Sequence, residues 1–420
     1  MKYLLNVARI IVGNLFIFSG IVKANDPLGF SYKLEEYFME FGMNWDWLHE
    51  ILVPLAAALC IVEIVLGVAV LVGYRMKEVS WVLLLMIVFF TILTGASAIF
   101  EIVRSCGCFG DAIPLTPWES FYKDLILLVL ILLIFFKKEE IKPWENANSL
   151  LIVFVVSTLI MVALANMLQW NMEVEILALL WIAVAIKYLT KKSELAAVFA
   201  VAFSLIYGIY LSVTAVEYLP FKDFRPYAVG KNLPEQMTLP PDAVQPVYQN
   251  TLIYKNKNTG EVKELTDEEY SASKIWEDEN WEWQDTESRL IQEGDVAPIT
   301  DLTITGHDGV DYTDIILSED QVLWIVAYDL SLSETEKWAE ITDLVKKAKS
   351  QGIKVIGLSA AGEEQAKGYI DKHQLNFDFY VTDGIVLKTI VRSNPGLVML
   401  KQGTVSGKWH VNDLPTVEEL

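Results

Sequence analysis

The distribution of apolar positions changes near residue 220. Before that point apolar residues gather in long runs at about 3–22, 49–73, 79–101, 120–136, 149–168, 174–189 and 195–217. A hydrocarbon core of ~30 Å takes about 20 apolar residues in a helix, so each run predicts a membrane span. The sixth run, with Glu173 and Glu175 at its start and Lys187 near its end, is the shortest. The first carries Arg9, ends in Ser19-Gly20 and has no small-residue cleavage pattern, so it reads as an anchor and not as a signal peptide. Residues 28–46 set Phe30, Leu34, Tyr37 and Phe41 at helical spacing among Lys33, Glu35, Glu36 and Glu40, which predicts an interfacial amphipathic helix.

Past 220 the pattern is polar and mixed. Pro220, Pro226, Pro234, Pro240, Pro241 and Pro246 rule out a long helix and predict an extended tether along the outer membrane face. Phe221, Phe224, Arg225 and Tyr227 would anchor it among headgroups. Two alternating runs over 251–266 flank Asn258-Thr259-Gly260, the mark of a β-hairpin. Trp276, Trp281 and Trp283 follow among acids and are expected to pack on that hairpin, with partner binding as the alternative. The apolar run 322–328 predicts a buried central strand. A helix over 332–350, a strand over 353–358, a helix over 363–373, a short strand near 377–382 and a hairpin over 397–410 complete a layer of helices on a mixed sheet.

Composition sharpens this division. The hydrophobic fraction of 53% and the mean hydropathy of +0.35 exceed those of ordinary soluble chains. Residues 1–220 hold 14 Lys and Arg against 19 Asp and Glu, whereas the remainder holds 19 against 35. So acidic a soluble half repels phosphates and excludes nucleic acid as a partner. Arg75 with Lys77, Lys137 with Lys138 and Lys142, and Lys191 with Lys192 fall in alternate loops, which marks those loops as cytoplasmic. The expected protein is therefore a multi-pass one of the inner (cytoplasmic) membrane with a cytoplasmic N-terminus. The loop after span three and the soluble half share the periplasmic side, where disulfides persist.

That loop carries the candidate chemistry. Arg104-Ser105-Cys106-Gly107-Cys108-Phe109-Gly110-Asp111 contains two of the three cysteines in a polar break between apolar runs. Gly107 allows the tight ring that a C-x-C disulfide needs, and a strained ring is easier to reduce. Arg104 would stabilise a thiolate and Asp111 would oppose it. The residues themselves leave open a redox pair, a permanent clip, two free thiols and half a metal site. Cys60 lies deep in span two and reads as an apolar filler. Glu63, one turn on, is an intramembrane carboxylate and hence a functional candidate, with a packing ion pair as its alternative. His49, at the outer end of the same span, is a candidate proton relay to a departing thiolate.

Phe18-Ser19-Gly20-Ile21-Val22-Lys23, Asp26-Pro27-Leu28-Gly29-Phe30, Glu63 with Leu66-Gly67, Gly73-Tyr74-Arg75 and Cys106-Gly107-Cys108-Phe109-Gly110 resemble the DoxX/MauE membrane family over about residues 1–140. The resemblance implies a four-helix bundle, a part in disulfide or electron transfer and, through some relatives, a quinone cofactor. Residues 295–415, with Val296-Ala297-Pro298-Ile299 and Asn394-Pro395, resemble the thioredoxin-like fold, which implies a cis bond before Pro395 and partner binding at Asn394 and Pro395. Where that family carries its cysteines, this chain reads Asp329-Leu330-Ser331-Leu332-Ser333, and no sulfur other than methionine occurs beyond Cys108.

The expected fold is thus a polytopic α-helical membrane domain followed by a soluble α/β thioredoxin-like domain with a β-hairpin insertion. Its parts are a four-helix domain at 1–140, further transmembrane helices at 141–219, the tether, hairpin and Trp-rich segment at 220–294, and the α/β domain at 295–420. The expected activity is a thiol–disulfide relay with an extracytoplasmic protein partner or substrate, catalytic residues Cys106, Cys108, Glu63 and His49, and no metal. The alternatives are a non-catalytic envelope assembly protein whose α/β domain grips a partner and, more weakly, a transporter.

Overall fold

The computed structural model describes residues 2–43, 45–100, 109–170, 173–292, 294–333 and 336–420. Its first part is helical: α1 (Lys2–Ala24), α2 (Pro27–Glu40), α3 (Asp46–Val72), α4 (Met76–Phe100), α5 (Pro117–Phe136), α6 (Ala147–Met167), α7 (Glu173–Thr190) and α8 (Ser193–Glu217). Among the described residues five are long and apolar enough to cross a membrane: Tyr3–Ala24, Trp47–Val72, Met76–Phe100, Ala147–Met167 and Ser193–Glu217. The protein is a multi-pass membrane protein. The fourth and sixth apolar runs are helical too but fall short of that standard. Glu119, Lys123 and Asp124 occupy the first turns of α5, and within the sixth run the described apolar stretch is Ala178–Thr190. Leu85, Ile92, Ile99, Ile126, Leu159 and Ile206 remain exposed on the outer faces, the surface lipid would cover.

Small residues bring α1 and α3 together. A side chain on Gly67 would lie 2.6 Å from the Gly13 carbonyl oxygen and 2.8 Å from the Ile17 nitrogen, and one on Gly20 would lie 3.0 Å from the Cys60 carbonyl oxygen. Without a hydrophobic driving force between helices in lipid, such backbone proximity is how dispersion holds them. The same pair is pinned by Arg9 near the start of α1 and the end of α3. Its Nε donates to the Val70 carbonyl and Nη2 to the Leu71 carbonyl, each at 3.1 Å, and its guanidinium lies 4.3 Å from the Trp144 ring centroid. Those carbonyls belong to the last turn of α3 and have no intrahelical donor, so Arg9 satisfies them.

Residues 1–229 and 303–420 form one compact unit and residues 230–302 another. In the second, the short helix α9 (Leu233–Gln236) precedes β1 (Val247–Asn256) and β2 (Val262–Thr266), the expected hairpin; α10 (Asp267–Ser273) and β3 (Trp281–Gln292) follow. The sheet order is β2-β1-β3, all antiparallel. Trp281 and Trp283 thus belong to the third strand, which its crowding of acids conceals, while Trp276 lies in the turn before it. The packing expected of its rings is only partly met: Trp276 stands 4.6 Å from Tyr270, yet Trp276 and Trp283 stay about half exposed.

The α/β region has α11 (Thr313–Leu317), β4 (Val322–Val326), α12 (Trp338–Ser350), β5 (Lys354–Ser359), α13 (Glu363–His373), β6 (Phe379–Val381), α14 (Gly384–Ile390), β7 (Gly396–Lys401) and β8 (Thr404–His410). The sheet order is β6-β5-β4-β7-β8, with β4, β5 and β6 parallel and β7 and β8 antiparallel to their neighbours. Every residue of β4 is buried, as a strand covered on both faces requires. Trp338, Ile341, Leu344 and Val345 of α12 meet Leu323, Ile325 and Met399 in one core. This is the thioredoxin-like arrangement, and the Asn394–Pro395 bond is cis. Helix α14 was hidden in the sequence: Asp383 caps it by accepting from the Ile385 and Val386 N–H groups at 2.8 and 3.3 Å.

We expect Gly67→Ala to cost about 1–3 kcal/mol, because the groups it strikes are backbone and cannot swing away. A lowered unfolding midpoint in detergent checks this, and an unchanged one would show that α1 and α3 can part.

Candidate functional site

Two clusters of buried charge occupy the larger unit. The first is inside the bundle. Lys23, in the last turn of α1, pairs with Glu63 of α3, and both side chains are 3% exposed. The Lys23 ammonium also lies 5.1 Å from the Phe30 ring centroid and 4.6 Å from that of Phe90. On the facing side Asp124 of α5, fully buried, accepts from Lys123 at 2.5 Å and from the Thr94 hydroxyl of α4 at 3.1 Å. Lys123 in turn stands 5.3 Å from the ring centroid of Phe109, which packs 5.5 Å from Phe18. Both pairs line one cavity of ≈ 40 Å³. A benzene-sized ring needs a cavity on the order of 150 Å³, so this one as it stands admits water and not a quinone ring.

The second cluster joins the bundle to the α/β region. Asp26 is the N-cap of α2 and accepts from the Gly29 N–H at 2.8 Å. Arg392, in the loop leading to the cis proline, donates from Nε to Asp26 Oδ1 and Oδ2 at 3.0 and 2.9 Å, and its Nη2 lies 3.5 Å from Asp111 Oδ2. A side chain on Gly29 would fall 2.4 Å from Asp26 Oδ2 and 2.6 Å from Arg392 Nη2, so only glycine fits beside this pair. Close by, Asp223 accepts from Arg225 Nε at 2.7 Å and from Lys408 of β8 at 2.6 Å, while Arg225 Nη1 donates to the Thr389 carbonyl at 2.9 Å. The tether residues Arg225 and Tyr227, expected among headgroups, are instead buried. Arg225 finds its counter-ion and a carbonyl within the protein, as a desolvated guanidinium must.

The electrostatics follow from burial. Burial pushes the Asp26 carboxyl up, but the Arg392 and Arg225 guanidiniums and the bonds from Arg392 and Gly29 outweigh it and hold it below the usual range. Asp223 is likewise held low by Arg225 and Lys408 against the effect of burial. Burial and the adjacent Arg225 push Lys408 down to about 7, with Asp223 pulling the other way. Between the bundle and the α/β region lies a cavity of ≈ 610 Å³, lined among others by Tyr32, Gly110, Asp111, Phe224 and Lys388. Of the two cavities this one has room for an organic ring.

Cys106, Cys108 and Arg104 lie outside the described residues; the described chain resumes at Phe109. Glu63 sits where its position in the span predicts, and its partner is Lys23. His49 Nδ1 lies 2.8 Å from Glu35 Oε1 of α2. Fourteen helical positions, roughly 21 Å, separate it from Glu63, so the two do not share a site. Asn394 Nδ2 donates to the Asp329 carbonyl at 2.8 Å, and the Ser333 hydroxyl donates to the same carbonyl at 3.0 Å. Asn394 thereby closes the turn where thioredoxin-like proteins hold their cysteines. Asp124 and Arg392 escaped the sequence reading, and Lys23 and Asp26 entered it only as part of the family-like segments. For Asp124 a charge inside an apolar run was the available signal, and it was weighed for function only at Glu63. Among the described residues no group of His, Cys, Asp and Glu is placed to hold a metal.

The class that emerges is a MauE-like membrane region joined to a thioredoxin-like α/β domain. Residues 1–137 match the family described as methylamine utilisation protein MauE. Protein TlpB of Flavobacterium psychrophilum is 27% identical over 154 residues, 34% of this chain, which spans only 40% of that relative's length. No solved structure matches the chain.

Asp26 and Asp223 titrate below their ordinary value of 3.8, so both carboxylates should stay charged at neutral pH, where Lys408, lowered to about 7, is near its own midpoint. The carboxylates' share of the docking should be lost only as pH falls under about 3.8, when they take up protons. Arg392→Gln leaves Asp26 without its cation and should weaken docking by about 3–5 kcal/mol. Faster hydrogen exchange in α14 and α2 at pH 7 is the readout; unchanged exchange would mean the clamp is dispensable.

Proposed function

We propose that this protein is a membrane thiol–disulfide relay in which Cys106 and Cys108 exchange electrons with an extracytoplasmic thiol protein. The oxidised pair takes two electrons and two protons from the partner's dithiol, leaving the partner with a disulfide. The observation that carries the reading is the Arg392 clamp. It fastens the cis-proline loop of a thioredoxin-like domain to Asp26 and to Asp111, three residues after Cys108. In thioredoxin-like folds that loop faces the sulfurs. Here the domain has none, and the nearest cysteines in sequence to its docking surface are those of the membrane region. The MauE match over residues 1–137 supports a membrane site for the chemistry.

In this reading the chain lies in the inner membrane with its N-terminus cytoplasmic, and the thioredoxin-like domain is a plate over the redox loop. A quinone, when bound, would supply a two-electron, two-proton sink, and the ≈ 610 Å³ cavity is the place with room for its ring. The contrasting scaffold reading needs the cis-proline face free to grip a partner. Against it, that face is engaged by the chain's own α2: Tyr328 meets Tyr32 at 3.5 Å, beside the Arg392 pair.

Differential alkylation of the full chain in nanodiscs, poised across a series of thiol buffers, tests the reading. A relay should reduce with a midpoint near or above about −270 mV, and Cys106→Ser or Cys108→Ser should trap a mixed disulfide. A pair that resists reduction until below about −300 mV behaves as a fixed clip and would end the proposal.

A further inference from the structure

Glu63 uses one carboxylate oxygen on Lys23, while its Oε2 is buried without a hydrogen-bond partner among the described residues. An orphaned carboxylate oxygen inside a bundle is costly unless something polar reaches it. The cavity it lines measures ≈ 40 Å³, enough for about three waters at 10–15 Å³ each. Its polar walls are Lys23 and Ser19 of α1, Glu63 of α3, Thr94 of α4, and Lys123 and Asp124 of α5; Tyr37 of α2 closes it. Cys60 lies one turn before Glu63 on the same helix and is a further titratable neighbour among the described residues.

We propose that this cavity is a hydrated proton-exchange site, with Glu63 as the proton acceptor and water linking it to Asp124. The charges make the exchange feasible. Two ammoniums and two carboxylates balance, so one added proton leaves a single surplus positive charge. That charge has somewhere to rest: Lys23 sits against the Phe30 and Phe90 rings, and Lys123 against Phe109. Ring faces stabilise an ammonium whose carboxylate has been neutralised. The proton balance is simple, carboxylate plus proton giving carboxylic acid, with the proton drawn from or returned to cavity water. Phe109 follows Cys108 directly, so the site adjoins the loop where dithiol oxidation releases protons; this purpose, though not the chemistry, rests on the relay reading.

The test uses the full chain in phospholipid nanodiscs. Infrared difference spectra between pH 5 and pH 8 should show the carbonyl band of a protonated buried carboxyl that disappears in Glu63→Gln and shifts in Asp124→Asn. It should persist in the Cys106→Ser/Cys108→Ser variant. Dithiol-driven turnover should fall roughly 100-fold in Glu63→Gln, the usual worth of a positioned acid–base group, with a flattened pH profile. The double variant Lys23→Met/Glu63→Gln avoids an unpaired ammonium and should behave alike. Absence of any band assignable to Glu63 or Asp124, or a wild-type pH profile in the double variant, overturns the proposal. A band that survives while no variant exchanges thiols would sink the relay and leave the proton site standing.

Discussion

The contact between Arg392 and Asp26 organises the larger unit. A guanidinium that is 6% exposed has lost most of its hydration, and only a carboxylate in good geometry offsets that loss. Asp26 is suited to the task because it already caps α2: the free N–H of Gly29 and the positive end of the helix hold its charge before Arg392 arrives. One side chain therefore sets the start of α2, the seat of the cis-proline loop and, through Asp111, the start of the described chain after Cys108. Gly29 has to be glycine for the pair to close.

Two kinds of charge sit in the bundle, and the difference between them is chemical. Arg9 is spent: its donors meet the last carbonyls of α3 and its plane covers Trp144. Such a residue ties a helix end. Glu63 is not saturated, and its neighbour Lys23 is held by aromatic faces as well as by the carboxylate. A pair that keeps spare hydrogen-bonding capacity beside a water-sized void is arranged for exchange and not for fastening.

What could be read from the sequence was whatever a local period encodes. The apolar runs, the Asn258-Thr259-Gly260 hairpin and the β4-to-β8 order all came from alternation or helical spacing, and helix α13 began and ended where the pattern put it. One exposed strand and a short capped helix were missed because their periodicity is weak: β3 alternates among acids, and α14 has seven residues. The clusters were illegible for another reason. Lys23 finds Glu63 across 40 positions and Arg392 finds Asp26 across 366. Nothing local announces such a partner; by contrast Arg225, which reads as a headgroup anchor, has its counter-ion Asp223 only two residues away.

A thioredoxin-like domain without cysteine cannot exchange thiols by itself. Its former reactive turn is filled by Asn394 and Ser333, so it cannot open to a substrate without breaking internal bonds. What it does supply is one wall of the ≈ 610 Å³ cavity, through Ile385, Lys388, Thr389 and Arg392. The walls hold Lys23, Lys33, Lys222, Arg225, Lys388 and Arg392 against Asp26, Glu35, Glu36, Glu40, Asp111 and Asp223, a balance quite unlike the chain's net charge of −21. A balanced cavity exerts little long-range pull on either sign of ligand. Selection there must then come from fit and from short-range hydrogen bonds, which is what a rigidly clamped domain can provide and a freely tethered one cannot.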